Sequence, residues 1–270
     1  MILGLSSFTY GWAIGVPGDE PARPMNEQEL LDRTQQHAVQ LLQVCDNLPL
    51  WRLPPERLSR FAERAAKEDV AVQVGSRRLT AEHVVEMAAL ARRVGARLVR
   101  FVIDGPDFHP QPAQVVETLR DVVPMLDGLM LGIENHDRFP ARVLRSIVED
   151  VSSSRVGICL DTANSLGAGE GLATVVAELA PLTVNLHIKD FHIARVPHLM
   201  GFTVEGRPAG AGMLDVRWLL GQLAPFKRCE TAVLELWTPP EPDIKRTIAK
   251  EEAWAGQSLE YLRPLFTTPT

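Results

Sequence analysis

Four apolar segments of this chain contain, at or near their ends, a side chain that can bind a metal ion or move a proton. They are Glu134 in LMLGIE, Asp161 in RVGICLD, His187 in TVNLHIKD and Glu235 in AVLELW. Three carboxylates and an imidazole placed together would repel one another and would be costly to bury unpaired. A divalent cation would offset that cost, and mainly oxygen donors with one nitrogen suit Mn²⁺ best, with Mg²⁺, Co²⁺ or Zn²⁺ as alternatives. These residues form a candidate metal site, provided that the fold brings them together.

Some of these residues, taken alone, also have a structural explanation. Asp161 can cap the helix that follows it, and His187 can be a hydrogen-bonded histidine of the core. Glu235 is harder to explain in this way, because it lies between apolar neighbours with no basic residue nearby. The coincidence of four such residues on four successive segments favours one functional site over four separate structural roles.

The spacing of the apolar segments predicts a fold that would bring these side chains together. Eight short apolar runs alternate with helical patterns, and near-continuous apolar runs are typical of parallel strands buried on both faces. Successive runs end 26 to 30 residues apart, the length of one strand, one helix and two loops, as marked by Asp46, Gly75, Asp104, Glu134, Asp161 and His187. The pattern predicts an α/β fold with a single (β/α)8 TIM barrel, with a doubly wound open sheet as the alternative.

The barrel is predicted to be one domain over residues 1–270. Its two longest connections follow the first strand (about residues 7–40) and the seventh strand (about residues 191–230). Active sites of such barrels lie at the carboxyl ends of the strands, where the loops that follow the strands meet. We therefore expect these two long loops to cover the active face.

The composition narrows the classes of partner. A net charge of −6 disfavours a nucleic-acid partner, because a phosphate-binding surface needs clustered Lys and Arg. The sequence has no run of about 18 or more apolar residues, so no membrane span is predicted. Three cysteines are too few and too dispersed for a disulfide framework. Because MILGLSSF lacks a basic leader, we expect a cytoplasmic protein that acts on a small molecule.

The segments IENHDRFP, CLDTANS, HIKD and LEL resemble those of the sugar phosphate isomerases and epimerases in the xylose-isomerase-like barrel superfamily. The resemblance implies that Glu134, Asp161, His187 and Glu235 hold one divalent metal ion, and that the two glutamates are the acid/base catalysts. In such a site the metal stabilises an enediolate, and the position of proton return decides between isomerisation and epimerisation. We therefore expect a divalent-metal-dependent isomerase or epimerase that acts on a small keto-sugar or sugar acid.

Strand alternation indicates further residues that face the substrate. Lys189 lies two residues beyond His187, and His136 stands in the same relation to Glu134, so both are predicted to bind substrate oxygens. Lys189 can instead pair with a nearby Asp, and His136 can instead hydrogen-bond the loop backbone. Asn164 can bind substrate or cap a helix.

The loop after the seventh strand, GFTVEGRPAGAGMLD, contributes two more candidates. Glu205 and Arg207 are predicted to close over an anionic substrate, since Arg binds carboxylate or phosphate through its planar fork. Arg207 can also be a solvated surface residue. Gly210, Gly212 and Asp215 match a G-x-G before an Asp that is common in the family, and the segment lacks a strand–helix GxGxxG, so no nucleotide site is predicted.

A narrower resemblance adds a second hypothesis. SFTYGWAIG, DNLPL, IENHDRFP and MGFTVEGRPAGAG are similar to a subgroup that includes 3-oxo-isoapionate decarboxylases. Loss of CO₂ from a 3-oxo sugar acid leaves the same enediolate, so a decarboxylase or lyase is the alternative to the isomerase. A non-catalytic sugar-binding barrel is the third hypothesis, and an abasic-site endonuclease is disfavoured by the charge and by only seven histidines. Barrels of this kind often form homodimers, so a homodimer is among the expected partners.

Overall fold

Eight parallel strands close into a barrel in the computed structural model, which describes residues 1–267. The strands of the chain are Ile2–Ser6 (β1), Leu41–Val44 (β2), Ala71–Arg77 (β3), Leu98–Val102 (β4), Met130–Glu134 (β5), Val156–Asp161 (β6), Thr183–Ile188 (β7), Asp190–Arg195 (β8), Phe202–Arg207 (β9) and Thr231–Leu234 (β10). The barrel order is β1, β10, β7, β6, β5, β4, β3 and β2, and β1 pairs with both β10 and β2. This closure confirms the predicted single barrel and excludes the open sheet.

Helices follow the barrel strands and cover the outside of the sheet. They are Gly11–Ile14 (α1), Glu27–Gln36 (α2), Pro55–Lys67 (α3), Ala81–Arg93 (α4), Pro112–Val122 (α5), Ala141–Val151 (α6), Leu172–Leu179 (α7), Val216–Leu223 (α8) and Ile244–Thr267 (α9). Their starts follow local rules: the Thr80 hydroxyl accepts the N–H of His83 at α4, and Pro55 occupies the first turn of α3. Within residues 1–267, no helix is both long and apolar enough to cross a membrane.

The two long connections contain regular structure of their own. The segment after β1 includes α1 and α2, whereas β8 and β9 after β7 form an antiparallel hairpin, followed by a glycine-rich loop and α8. Asp190 holds that loop, because its carboxylate accepts the backbone N–H groups of Phe191, Gly210, Gly212 and Leu214 at 2.8 to 3.0 Å. A Cβ at Gly206 would overlap the backbone of Trp237, so the hairpin packs directly on the segment after β10.

Candidate metal centre

Neighbouring strands bring the four predicted metal ligands together at one end of the barrel. Glu134 and Asp161 end β5 and β6, His187 is next to last in β7, and Glu235 follows β10. All four side chains are buried, with at most 2% of each residue exposed. Nδ1 of His187 lies 3.2 Å from Oε1 of Glu235, 3.7 Å from Oε2 of Glu134 and 3.9 Å from Oδ2 of Asp161.

Three polar atoms of this cluster have no hydrogen-bond partner within residues 1–267, although two of them face a buried cation, Arg100 or Lys189. They are Oε2 of Glu134, Oδ2 of Asp161 and Nδ1 of His187. One ligand atom each of Asp161, His187 and Glu235 lie within 4.8 Å of one another. Carboxylate oxygens and an imidazole nitrogen that converge on one point form a ligand set that fits a divalent cation.

Asp161 combines its structural and candidate functional roles. Its Oδ1 accepts the backbone N–H groups of Ala163 and Asn164, both at 2.8 Å, and so caps the turn that follows β6. Its Oδ2 faces the cluster instead. The capping role and the ligand role therefore use different oxygens of one carboxylate. Glu235 is held similarly, because the hydroxyl of Ser6 donates to its Oε1 at 2.9 Å.

His187 is electrically neutral near pH 7. Burial lowers the pKa of its imidazole to about 4, and the opposing attraction of Glu235 does not overcome that effect. Its Nε2 lies 2.8 Å from Oε1 of Gln43 on β2. A neutral imidazole keeps one nitrogen lone pair, which is the form that binds metal ions.

Two predicted substrate-binding residues contact the cluster. Nζ of Lys189 lies 3.0 Å from Oδ2 of Asp161, 3.1 Å from Oε2 of Glu235 and 3.3 Å from Oδ1 of Asn164. Burial would lower the pKa of this ammonium, but the attraction of Asp161 and Glu235 outweighs it and raises the pKa above its usual value. Nδ2 of Asn164 donates to Oε1 of Glu134 at 2.7 Å.

Arg100 is a further member of the cluster that the sequence reasoning missed. It lies in β4 with 3% of its surface exposed, and its guanidinium forms an ion pair with Glu134. It also lies 3.4 Å from Asp46, which pairs with Arg77 farther out. A charged residue in the middle of the apolar run LVRFV was the signal in the sequence. Burial raises the pKa of Glu134 to about 8, although Arg100 opposes that shift.

The other predicted site residues have different partners. His136 follows the end of β5 in a turn, where its Nδ1 lies 2.8 Å from Oδ1 of Asp137 and a third of its side chain is exposed. Arg207 and Glu205 pair with each other on β9 at 3.1 Å. Within the described part of the chain, no hydrogen bond or ion pair joins these three candidates to the four clustered ligands, and their contact with substrate stays a prediction.

A cavity of about 550 Å³ can hold a small ligand and is lined by two aromatic residues that also lie near the cluster. Its walls include Phe8, Trp12, Trp237 and the candidate residue Glu205. The ring of Trp237 lies 5.3 Å from Nζ of Lys189, and the ring of Phe8 lies 5.8 Å from the guanidinium carbon of Arg100. The aromatic walls therefore connect the cavity with both buried cations.

The sequence model of the xylose isomerase-like TIM barrel family matches residues 37–265. The chain belongs to this family. A curated relative, the 3-oxo-isoapionate decarboxylase of Pectobacterium atrosepticum, is 29% identical over 97% of this chain and 95% of its own. The family resemblance stated from the sequence motifs is thus confirmed.

Two solved structures illustrate the shared barrel. D-psicose 3-epimerase of Clostridium cellulolyticum H10, solved with D-tagatose, superposes with a TM-score of 0.74 at 12% identity, covering 97% of this chain and 98% of its own. A xylose isomerase-like TIM barrel protein of Mycobacterium smegmatis, solved in complex with magnesium, gives a TM-score of 0.70 at 14% identity and covers 97% of each chain. At these identities the two likenesses support the fold.

Proposed function

We propose that this protein is a divalent-metal-dependent decarboxylase that acts on a small 3-oxo sugar acid through an enediolate. The observation that carries the proposal is the charge of the buried cluster. Two cations, Arg100 and Lys189, lie within contact distance of the three carboxylates Glu134, Asp161 and Glu235. Glu134, whose pKa is raised to about 8, must release its proton to bind a metal ion; with Glu134 ionised and His187 neutral, three negative and two positive charges leave a net charge of −1.

A divalent ion would change the sign of that charge to +1. Burial of an uncompensated charge is costly, so the loaded site favours a substrate with one negative charge over a neutral sugar. A sugar acid supplies that charge through its carboxylate. Lys189 is the better candidate of the two cations to receive it, because its Nζ lies 5.3 Å from the ring of Trp237, which lines the cavity.

Each residue of the cluster has a separate role in such a reaction. A divalent ion held by Glu134, Asp161, His187 and Glu235 supplies Lewis-acid stabilisation of the negative charge that develops on substrate oxygens. The bond between the carboxylate carbon and the adjacent carbon breaks, CO₂ leaves, and the bonding electrons form the enediolate. A solvent proton, relayed by the carboxylate of Glu134 or Glu235, then reaches that carbon, and the carboxylate ends the step ionised as it began. Asn164 and Arg100 keep the carboxylate of Glu134 in position during this step.

The curated decarboxylase supports this assignment because it aligns with nearly the whole chain. The alternative is an isomerase or epimerase of a keto-sugar, which would reach an enediolate by proton abstraction. Glu134 and Glu235 favour this alternative, since they lie on opposite sides of His187 in the barrel order and can act as base and acid. The fold neighbour that is a D-psicose 3-epimerase is consistent with it.

A substrate panel in D₂O tests both functions together. Purified protein would be incubated with 3-oxo sugar acids and keto-sugars, with Mn²⁺, Mg²⁺ or chelator, and the ion removed before NMR. We expect ion-dependent release of CO₂ and one deuterium in the product from the acids. Exchange or epimerisation of keto-sugars without CO₂ release would favour the alternative. Binding of these compounds without turnover would indicate a non-catalytic sugar-binding barrel.

A further inference from the structure

A network of buried amides lies inside the barrel beneath the candidate metal centre. The interior of such barrels is usually filled by branched apolar side chains. Here Gln43 on β2, Gln73 on β3 and Asn185 on β7 occupy the interior, each at most 6% exposed. They hydrogen-bond to one another at 3.0 to 3.4 Å. Buried polar networks are stable only when every member is satisfied, so these amides have restricted orientations.

A backbone carbonyl fixes the orientation of the network at its lower end. Nδ2 of Asn185 donates to the carbonyl oxygen of Thr231 at 3.3 Å and to the hydroxyl of the same residue at 2.8 Å. A carbonyl oxygen can only accept, so the amide nitrogen of Asn185 must face Thr231. Oδ1 of Asn185 therefore faces the opposite way, where it accepts from the thiol of Cys159 at 3.2 Å and from Gln43 at 3.1 Å.

Gln43 transmits this orientation to the imidazole of His187. Its Nε2 donates to Oδ1 of Asn185 and to Oε1 of Gln73, which directs its own Oε1 toward Nε2 of His187 at 2.8 Å. Rotation of the Gln43 amide would place its oxygen against two acceptor oxygens. Because Oε1 of Gln43 can only accept, Nε2 of His187 must carry the proton.

We infer that Gln43, oriented through Asn185 by the backbone carbonyl of Thr231, is a positioning residue that holds His187 as its Nε2–H tautomer. This tautomer leaves the Nδ1 lone pair directed at the carboxylates of the candidate metal centre, so the inference rests on the proposed metal-dependent function. The other tautomer, with the proton on Nδ1, is also chemically reasonable, because Oε1 of Glu235 lies 3.2 Å from Nδ1 and can accept a hydrogen bond from it. Gln43 disfavours the Nδ1–H tautomer, because its Oε1 needs a proton on Nε2 of His187.

The tautomer can be measured without metal and without substrate. Protein labelled with ¹⁵N-histidine would be studied by long-range ¹H–¹⁵N correlation, with His187→Gln used to assign the signal. We expect Nε2 of His187 to carry the proton in the metal-free protein. The substitution Gln43→Met keeps the length of the side chain and removes the acceptor. In this variant the proton should move to Nδ1 of His187, from which it donates to Oε1 of Glu235. Gln43→Glu retains an acceptor oxygen and, with its second oxygen protonated so that it donates to Oδ1 of Asn185, should restore the Nε2–H form.

Gln73→Met is the matched control, because Gln73 contacts Gln43 and has no hydrogen bond to His187 among the described residues. It should leave the proton on Nε2. Zinc titration should then show about 10- to 100-fold weaker binding in Gln43→Met than in Gln73→Met. An unprotonated Nε2 in the unmodified protein, or an unchanged tautomer in Gln43→Met, would overturn the inference. If no variant binds metal, the proposed function fails, while the tautomer measurement still decides the role of Gln43.

Discussion

The guanidinium of Arg100 on β4 forms an ion pair with the carboxylate of Glu134 on β5, and their side chains are 4% and 1% exposed. The strands β4 and β5 are paired neighbours, and Arg100 lies opposite Gly132, two residues before Glu134. Glu134 is thus held from one side by a fixed cation and from another by the amide of Asn164. Such a carboxylate has few alternative positions, which suits a metal ligand.

At about pH 9, above the pKa of Glu134, Arg100→Met should destabilise the metal-free protein by about 3–5 kcal/mol, because it leaves the carboxylate of Glu134 buried without its counter-charge. Urea denaturation in the presence of chelator measures the free energy of unfolding. Arg97→Met is the control: Arg97 precedes the same strand and is exposed, so its loss should change stability by no more than about 0.5 kcal/mol. The double variant Arg100→Met with Glu134→Gln should recover part of the loss. Equal effects of the two single substitutions would contradict a stabilising pair.

Asp161→Asn should greatly weaken metal binding and keep the local fold. The amide oxygen can still accept the N–H groups of Ala163 and Asn164, while the charged oxygen that faces the cluster becomes an amide nitrogen. In the unmodified protein, free ion at about 100 times its Kd should raise the free energy of unfolding by about 2.7 kcal/mol. Elemental analysis after dialysis and thermal denaturation with added ion measure both effects. His136→Ala should retain the ion, and full metal content in Asp161→Asn would remove Asp161 from the ligand set.

The barrel could be predicted from the sequence because its cause is local. Each apolar run must be buried, and the regular spacing of the runs leaves room for one helix between successive strands. The grouping of Glu134, Asp161, His187 and Glu235 follows from their positions at the ends of successive barrel strands. Their proximity is now observed, and their role as metal ligands stays a proposal.

Contacts across the barrel could not be predicted in the same way. Gln43 and Asn185 are 142 residues apart in the chain, and nothing in their local sequence shows that they meet. The alternation argument for His136 assumed that the strand continued, whereas β5 ends at Glu134 and the backbone turns. The hairpin of β8 and β9 was missed because it was treated as part of a long loop. The contact between Gln43 and Asn185, the turn after β5 and the hairpin all depend on tertiary packing, which leaves no pattern in the local sequence.

Glu251 should make stability depend on pH between about 4.5 and 7. Its carboxylate is 1% exposed and accepts the N–H groups of Trp12 and Ala13 at 3.0 Å. Burial raises its pKa to about 7, although the two hydrogen bonds oppose the shift. The folded protein therefore binds this proton more tightly than the unfolded chain. The resulting stability is fully present below pH 4.5 and is lost as the pH rises through 7, a change of about 3 kcal/mol.

Glu251→Gln isolates this effect, because glutamine resembles the protonated carboxyl group and does not titrate. The difference in free energy of unfolding between the original protein and this variant should fall by about 3 kcal/mol from pH 4.5 to pH 8. Urea denaturation at several pH values measures it. Other titrating groups cancel in the difference, so a constant difference across this range would show that the pKa of Glu251 is close to its usual value.

Lys189→Met should separate the two candidate reactions. If Lys189 receives the carboxylate of a sugar acid, its loss removes a charge-assisted hydrogen bond worth about 1.5–3 kcal/mol, so kcat/KM for the acid should fall about 10- to 100-fold. Turnover or exchange of a neutral keto-sugar should fall much less. The assay needs saturating metal, because the loss of this cation also changes the charge that Asp161 and Glu235 present to the ion.

Lys250→Met is the matched control for that substitution. Lys250 also combines a carboxylate partner, Glu241 at 2.7 Å, with an aromatic ring, Trp254 at 5.2 Å, and it lies outside the cluster. Its loss should leave kcat/KM unchanged for both substrates. A selective loss of acid turnover in Lys189→Met would support the decarboxylase, since only a charged substrate needs the buried cation. Equal losses for acid and keto-sugar would show that Lys189 supports the carboxylates of the cluster and does not bind the substrate.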